Sequence, residues 1–207
     1  MGSYYYLAAQ LPSLIYGQHP PMSSIAFKDM ARPLLEESDA AIFDLLDLDM
    51  VAREDPSIEE GGPAYIADVQ ASGSDFMDGW RQWERALRLN LARHRAQRVK
   101  RENAPAAMEA PAFPMDAASA ALKAVAISDS PLKAETILDK ARWDAIEALQ
   151  GSDYFDRNTI FAFLLKLMLL ERSASFKVEE GFTEYKKLYA SILEGVDLGV
   201  PPEGEPK

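Results

Sequence analysis

The sequence predicts an all-α fold, a multi-helix bundle in which two helical halves are joined by a Pro/Ala-rich linker. Three observations predict it. From Ile160 to Leu170 every residue is apolar except Lys166, so a helix there is apolar on nearly every side and must be covered by neighbours on several faces. Phe76, Trp80, Trp83, Leu87 and Leu91 recur at helical steps, which draws one apolar stripe. Between residues 103 and 119 lie Pro105, Pro111 and Pro114 among alanines, and proline's fixed φ and missing N–H oppose continuous helix there. The boundaries that follow are a first half at 2–102, a linker at 103–119 and a second half at 120–194. The Pro/Gly-rich stretch 195–207 reads as a disordered tail.

Taken in order, Tyr4-Tyr5-Tyr6-Leu7-Ala8-Ala9 is an apolar run ended by Pro12, and such short runs fit either a buried strand or a short helix. Ser23 or Ser24 can cap a helix through Phe27 and Met30 that Pro33 limits. Ser38-Asp39 is expected to cap the next segment, where Ile42, Leu45 and Leu46 recur at helical spacing. Glu59 to Pro63 reads as a turn, with helix resuming near Tyr65. The longest candidate helix runs from Asp75 to Asn103 and would be about 40 Å long at about 1.5 Å per residue. Ser130-Pro131 follows the N-cap/N1 pattern, and Ile137, Trp143, Ile146 and Leu149 carry that helix to Gly151. Asp156 is the candidate N-cap of the central apolar helix. A last helix from Gly181 would bury Phe182, Tyr185, Leu188, Tyr189, Ile192 and Leu193.

The bulk properties narrow the function classes. The 207 residues can bury a substantial core, with 48% hydrophobic and 27% charged residues. With no cysteine, a disulfide framework and a thiolate metal site are both excluded. The N-terminus shows no signal-peptide pattern, and the central apolar run is too short and too closely flanked by charge to span a bilayer. A net charge of -11 argues against general binding to nucleic acid or anionic membranes.

Candidate chemistry is sparse. No phosphate-cradling glycine loop is present, and the only histidines are His19 and His94, too few for a zinc site without cysteine. Asp44, Asp47 and Asp49 lack the glycine and the distant glutamate of a calcium loop, so a solvated helix face is the better reading. We therefore expect no enzyme activity, no catalytic residue, no cofactor and no metal. Lys166, the one charge in the most apolar run, is expected to snorkel to the surface, with a buried carboxylate partner as the lesser alternative. The charge is unevenly spread: eight Arg or Lys against two Glu fall between Trp80 and Glu102. The first reading of this cluster is a face pairing with the chain's own acidic helices. An acidic protein partner comes next and RNA, held through phosphates, last. Arg93, Arg95, Arg98 and Arg101 are the candidate partner-binding residues.

Tyr4-Tyr5-Tyr6-Leu7 with Leu11-Pro12, the helix from Trp80 and Trp83 to Arg95, and Arg142-Trp143 followed by Tyr154-Phe155-Asp156 carry a resemblance. Over most of residues 4–194 the chain resembles a family of uncharacterised bacterial proteins encoded beside V-type (A/V-type) ATP synthase subunits. Asp156-Arg157-Asn158 before an apolar helix is similar to the Asp-x-x-Asn-Leu helix start of the V-type ATPase central-stalk subunit that connects the rotor shaft to the membrane ring. Here the Asn stands one position nearer. Leu48-Asp49-Met50-Val51 would be a degraded copy in the first half, making the chain two versions of one helical unit. The resemblance implies a non-catalytic subunit or assembly component of a rotary ATPase, seated between central stalk and membrane ring. Its partners would be V-type ATPase subunits of the central stalk and membrane ring, with no direct nucleic acid. Its place would be cytoplasmic, peripheral to the inner membrane through the complex. A basic-helix module that binds RNA or an acidic protein is the rival expectation.

Overall fold

The computed structural model describes residues 4–49, 72–98, 123–124 and 130–176. The chain divides into two compact units, Met1–Ser173 and Ala174–Lys207. Among the described residues there are six α-helices and one 3-10 turn, and no strand. The helices are α1 (Tyr5–Gln10), α2 (Ser24–Ala31), α3 (Glu37–Leu45), α4 (Asp75–Arg98), α5 (Pro131–Gln150) and α6 (Arg157–Ser175). The all-α expectation holds. The linker at 103–119, the turn at 59–63, the helices expected near Tyr65 and from Gly181, and the tail lie outside the described residues.

Helix α6 is the centre of the core. Ile160 to Leu165, Leu167, Leu169 and Leu170 are all buried, so its neighbours cover it on several sides as an all-round apolar helix requires. Asp156 caps it, accepting from the Thr159 N–H at 3.1 Å, which satisfies one of the free donors of the first turn. The α4 stripe packs into the same core, with Phe76, Trp80, Trp83, Leu87 and Leu91 buried. Aromatic edges join the elements: Phe27 lies 4.7 Å from Phe163, and Phe76 lies 6.0 Å from Phe161, both within the range where ring quadrupoles attract. Residues on both sides of 103–119 thus contribute to one core. The Trp80 indole N–H is buried without a hydrogen-bond partner among the described residues, a cost that the apolar contacts of the ring outweigh.

Local signals set the helix ends. Ser23 caps α2 by accepting from Ala26 N–H at 3.1 Å, and Ser130 caps α5 by accepting from Lys133 N–H at 3.4 Å. Pro33 sits in the 3-10 turn Arg32–Leu34 that ends α2. Gly151 ends α5 at φ +74° and ψ -159°, a backbone that favours glycine because a Cβ would be strained there. Residues 5–10 are helical, which resolves the ambiguous first run.

One cap differs from expectation. Helix α3 begins at Glu37 with Glu36 in the N-cap position and no side-chain cap bond. Asp39 is instead buried, where it accepts from the Tyr4 hydroxyl at 2.5 Å and from Arg157 Nη1 at 3.0 Å. Two donors from elements far away in sequence outcompete the local N–H groups for this carboxylate, because a buried charge must be paired. Helix α4 is followed to Arg98, short of the expected Asn103, and residues 99–103 lie outside the described residues.

Candidate functional site

Two stretches of α4 define the candidate site, a packed first part and an exposed last turn. Six of the eight basic residues that the sequence groups together are described, and they divide between the two. Arg81, Arg85 and Arg88 belong to the packed half of the helix. Arg81 lies 3.9 Å from Asp78, Arg85 is buried, and Arg88 donates to Glu84 at 2.8 Å and to Asp49 at 3.2 Å. Here the pairing with the chain's own carboxylates holds. Further along, Arg93 and His94 are half-buried, while Arg95 and Arg98 are exposed. Arg101 lies outside the described residues.

The packed part opens a chain of alternating charges. Asp49 pairs with Arg88 and Arg88 with Glu84; Glu84 is then held side-on by Arg142 of α5, through Nε at 3.1 Å and Nη2 at 3.0 Å. Arg142 also donates to Asp139 at 3.0 Å. Asp139 lies 3.6 Å from Arg172 of α6, and Arg172 donates to Glu135 at 2.6 Å. The central members Glu84, Arg142 and Asp139 are buried. Burial pushes the Asp139 carboxyl up, and Arg172 and Arg142 only partly oppose this. Burial works to lower Arg142, yet Glu84 and Asp139 together more than offset it and hold the guanidinium above its ordinary value. The chain of charges spans α4, α5 and α6, so it fixes their mutual register, since sliding any one of them would leave an unpaired buried charge.

Lys166 departs from simple snorkelling. Its side chain is 12% exposed, and it reaches a Glu147 that is 52% exposed, at 3.3 Å. Its ammonium also donates to Gln150 and sits 5.1 Å from the centre of the Trp143 ring. Burial lowers its pKa, with Glu147 working the other way. Both expectations are met in part: the stem is covered, and the charge is paired at the rim.

Among the described residues no group of three or more His, Asp or Glu could hold a metal ion, and no helix is long and apolar enough to cross a membrane. Asp44 pairs with Arg32 at 2.8 Å, Asp47 accepts from the Asp49 N–H at 2.9 Å, and Asp49 is bound to Arg88. The three aspartates are therefore engaged separately. Sequence reasoning missed the Glu84–Arg142–Asp139 core of the ion chain. Only the i,i+3 spacing of Asp139 and Arg142 signalled it.

Residues 62–196, more than half of the chain, match the family described as "Protein of unknown function (DUF2764)". The chain belongs to this family. No curated protein and no solved structure matches it. The family region takes in α4, α5 and α6 with the buried ion chain between them, and the outward arginines at the end of α4.

Proposed function

We propose that this DUF2764 protein is a non-catalytic interaction component of a V-type (A/V-type) rotary ATPase. It would be a subunit or assembly factor similar to the central-stalk component that connects the rotor shaft to the membrane ring. Support comes from the sequence resemblance over most of residues 4–194 and from the all-helical fold. The carrying observation is helix α4. Its first half is locked to α5 by the Glu84–Arg142 pair, while Arg95 and Arg98 at its far end face solvent. A component of a rotary machine must hold partners under torque, and a helix with a rigid base and exposed arginines further along suits that task. Exposed charge of this kind speeds encounter and is screened beyond about 8–10 Å at physiological ionic strength.

The rival reading, RNA held by the basic helix, is weakened by the fate of the two tryptophans. Trp80 and Trp83 are fully buried and stacked on each other at 5.8 Å, so neither offers a free ring for a base. The test is a pull-down from native extract with wild type and the triple variant Arg93→Glu, Arg95→Glu, Arg98→Glu, with Tm as the folding control. The expected result is central-stalk or membrane-ring subunits on wild type, their loss from a folded triple variant, and little RNA in either. Recovery of RNA or ribosomal proteins without ATPase subunits would sink the proposal.

A further inference from the structure

The start of α1 and the loop before α6 meet to form an exposed aromatic surface. The Tyr4 N–H donates to the Phe155 carbonyl at 2.8 Å, and this bond brings the Tyr5 ring to 4.5 Å from the Phe155 ring. Tyr6 and Tyr154 are their neighbours in the chain. The four rings are 61% (Tyr5), 74% (Tyr6), 65% (Tyr154) and 41% (Phe155) exposed. Two exposed rings in contact, each with another exposed ring next to it in the chain, are a patch, unlike scattered surface residues. The backbone beneath is held from inside. The Tyr4 hydroxyl donates to Asp39 and accepts from the Glu36 N–H at 3.2 Å, and Arg157 ties the loop to Asp39 and to the Gly73 carbonyl at 3.1 Å. The platform is thus rigid at its base and bare on its outer face.

Charge selects what can cover it. Asp153 is exposed beside Phe155, from whose N–H its Oδ1 accepts at 3.0 Å. The basic residue that follows the loop, Arg157 at the start of α6, is turned inward to Asp39. A second copy of this chain would bring the same carboxylates face to face, against a net charge of -11, and an anionic lipid surface would be repelled in the same way. A cationic partner fits. Arginine fits better than lysine, because its planar guanidinium stacks on ring faces while its N–H fork reaches a carboxylate.

We propose that Tyr5, Tyr6, Tyr154 and Phe155, with Asp153 at the rim, form a docking surface for an arginine-bearing segment of a protein partner. The surface lies apart from the arginine end of α4 and does not depend on the rotary-ATPase reading. The probes are labelled Arg-Gly, Lys-Gly and Glu-Gly repeat peptides of equal length, titrated with the full chain and read by fluorescence anisotropy. The expected order is Arg-Gly over Lys-Gly, with no binding of Glu-Gly. Tyr5→Ser with Tyr6→Ser should weaken Arg-Gly binding about tenfold, and Asp153→Asn about threefold, at unchanged Tm. Tyr6→Ser alone, at the most exposed of the rings, serves where the double variant loses its fold. Equal affinity for the Arg and Lys peptides, or unchanged affinity in the folded variants, would show general attraction to an acidic protein and overturn the proposal. So would a concentration-dependent dimer that Tyr6→Ser dissolves, since a second copy would then be the occupant.

Discussion

Arg142 shows how much one side chain can hold in place. It bridges Glu84 and Asp139, and both carboxylates are buried. Replacing it with Met keeps most of the volume and removes the charge, so we expect Arg142→Met to cost about 3–5 kcal/mol, the usual penalty for breaking a buried pair. Adding Glu84→Leu should recover part of that loss. Arg88 would keep Asp49, Asp139 would keep Arg172, and the buried carboxylate that had lost its two Arg142 bonds would be gone. Urea unfolding of the two single variants and the double variant forms the cycle, and strictly additive losses would contradict the coupling. Tyr4 offers a second test. Burial, then the hydrogen bond to Asp39, pushes its pKa from 10.0 up to about 12. The folded protein therefore favours the neutral phenol. That contribution is whole below pH 10.0 and is lost as pH rises through about 12. The stability of wild type relative to Tyr4→Phe should fall across this window, which thermal melts at stepped pH will show.

Helix α6 buries nine apolar residues between Ile160 and Leu170. Leu167 is fully buried in its middle turn, where the chain has least freedom to collapse into a void. Leu167→Ala should therefore cost about 2–5 kcal/mol by denaturant unfolding. A loss below about 1 kcal/mol, within the surface range, would mean that the covering helices close over the gap. Most of α6 and α5 could be read from the sequence for a local reason. Asp156, Ser130 and Gly151 act on backbone groups close to themselves in the chain, and the apolar run announces its own burial. Helix α3 was less legible. Ser38-Asp39 has the chemistry of a cap, but Tyr4 and Arg157 claim the Asp39 carboxylate from 35 and 118 residues away, and no local pattern encodes that competition.

For the whole unit Met1–Ser173, the two sides of the Pro/Ala-rich segment share one hydrophobic core, with Trp80 and Trp83 from one side and Ile160 to Leu170 from the other. A fragment holding residues 2–102 would expose the α4 stripe and leave Glu84 without Arg142. We expect such a fragment to show no cooperative melting transition by circular dichroism, while the full chain melts with one. A cooperative transition in the isolated fragment would mean that the first half has a sufficient core of its own.

Helical class, the buried stripe of α4 and the burial of α6 follow from the sequence, because a 3.6-residue period and a cap residue act over a single turn. The fate of the charges does not. Arg81, Arg85 and Arg88 look the same in sequence as Arg95 and Arg98, yet the first three pack inward and the last two face water. What separates them is the docking of α5 against α4, which sets Arg142 on Glu84 across 58 residues of chain. Charge pairing across helices depends on where each helix lies against the next, and that position exists only once the core has formed.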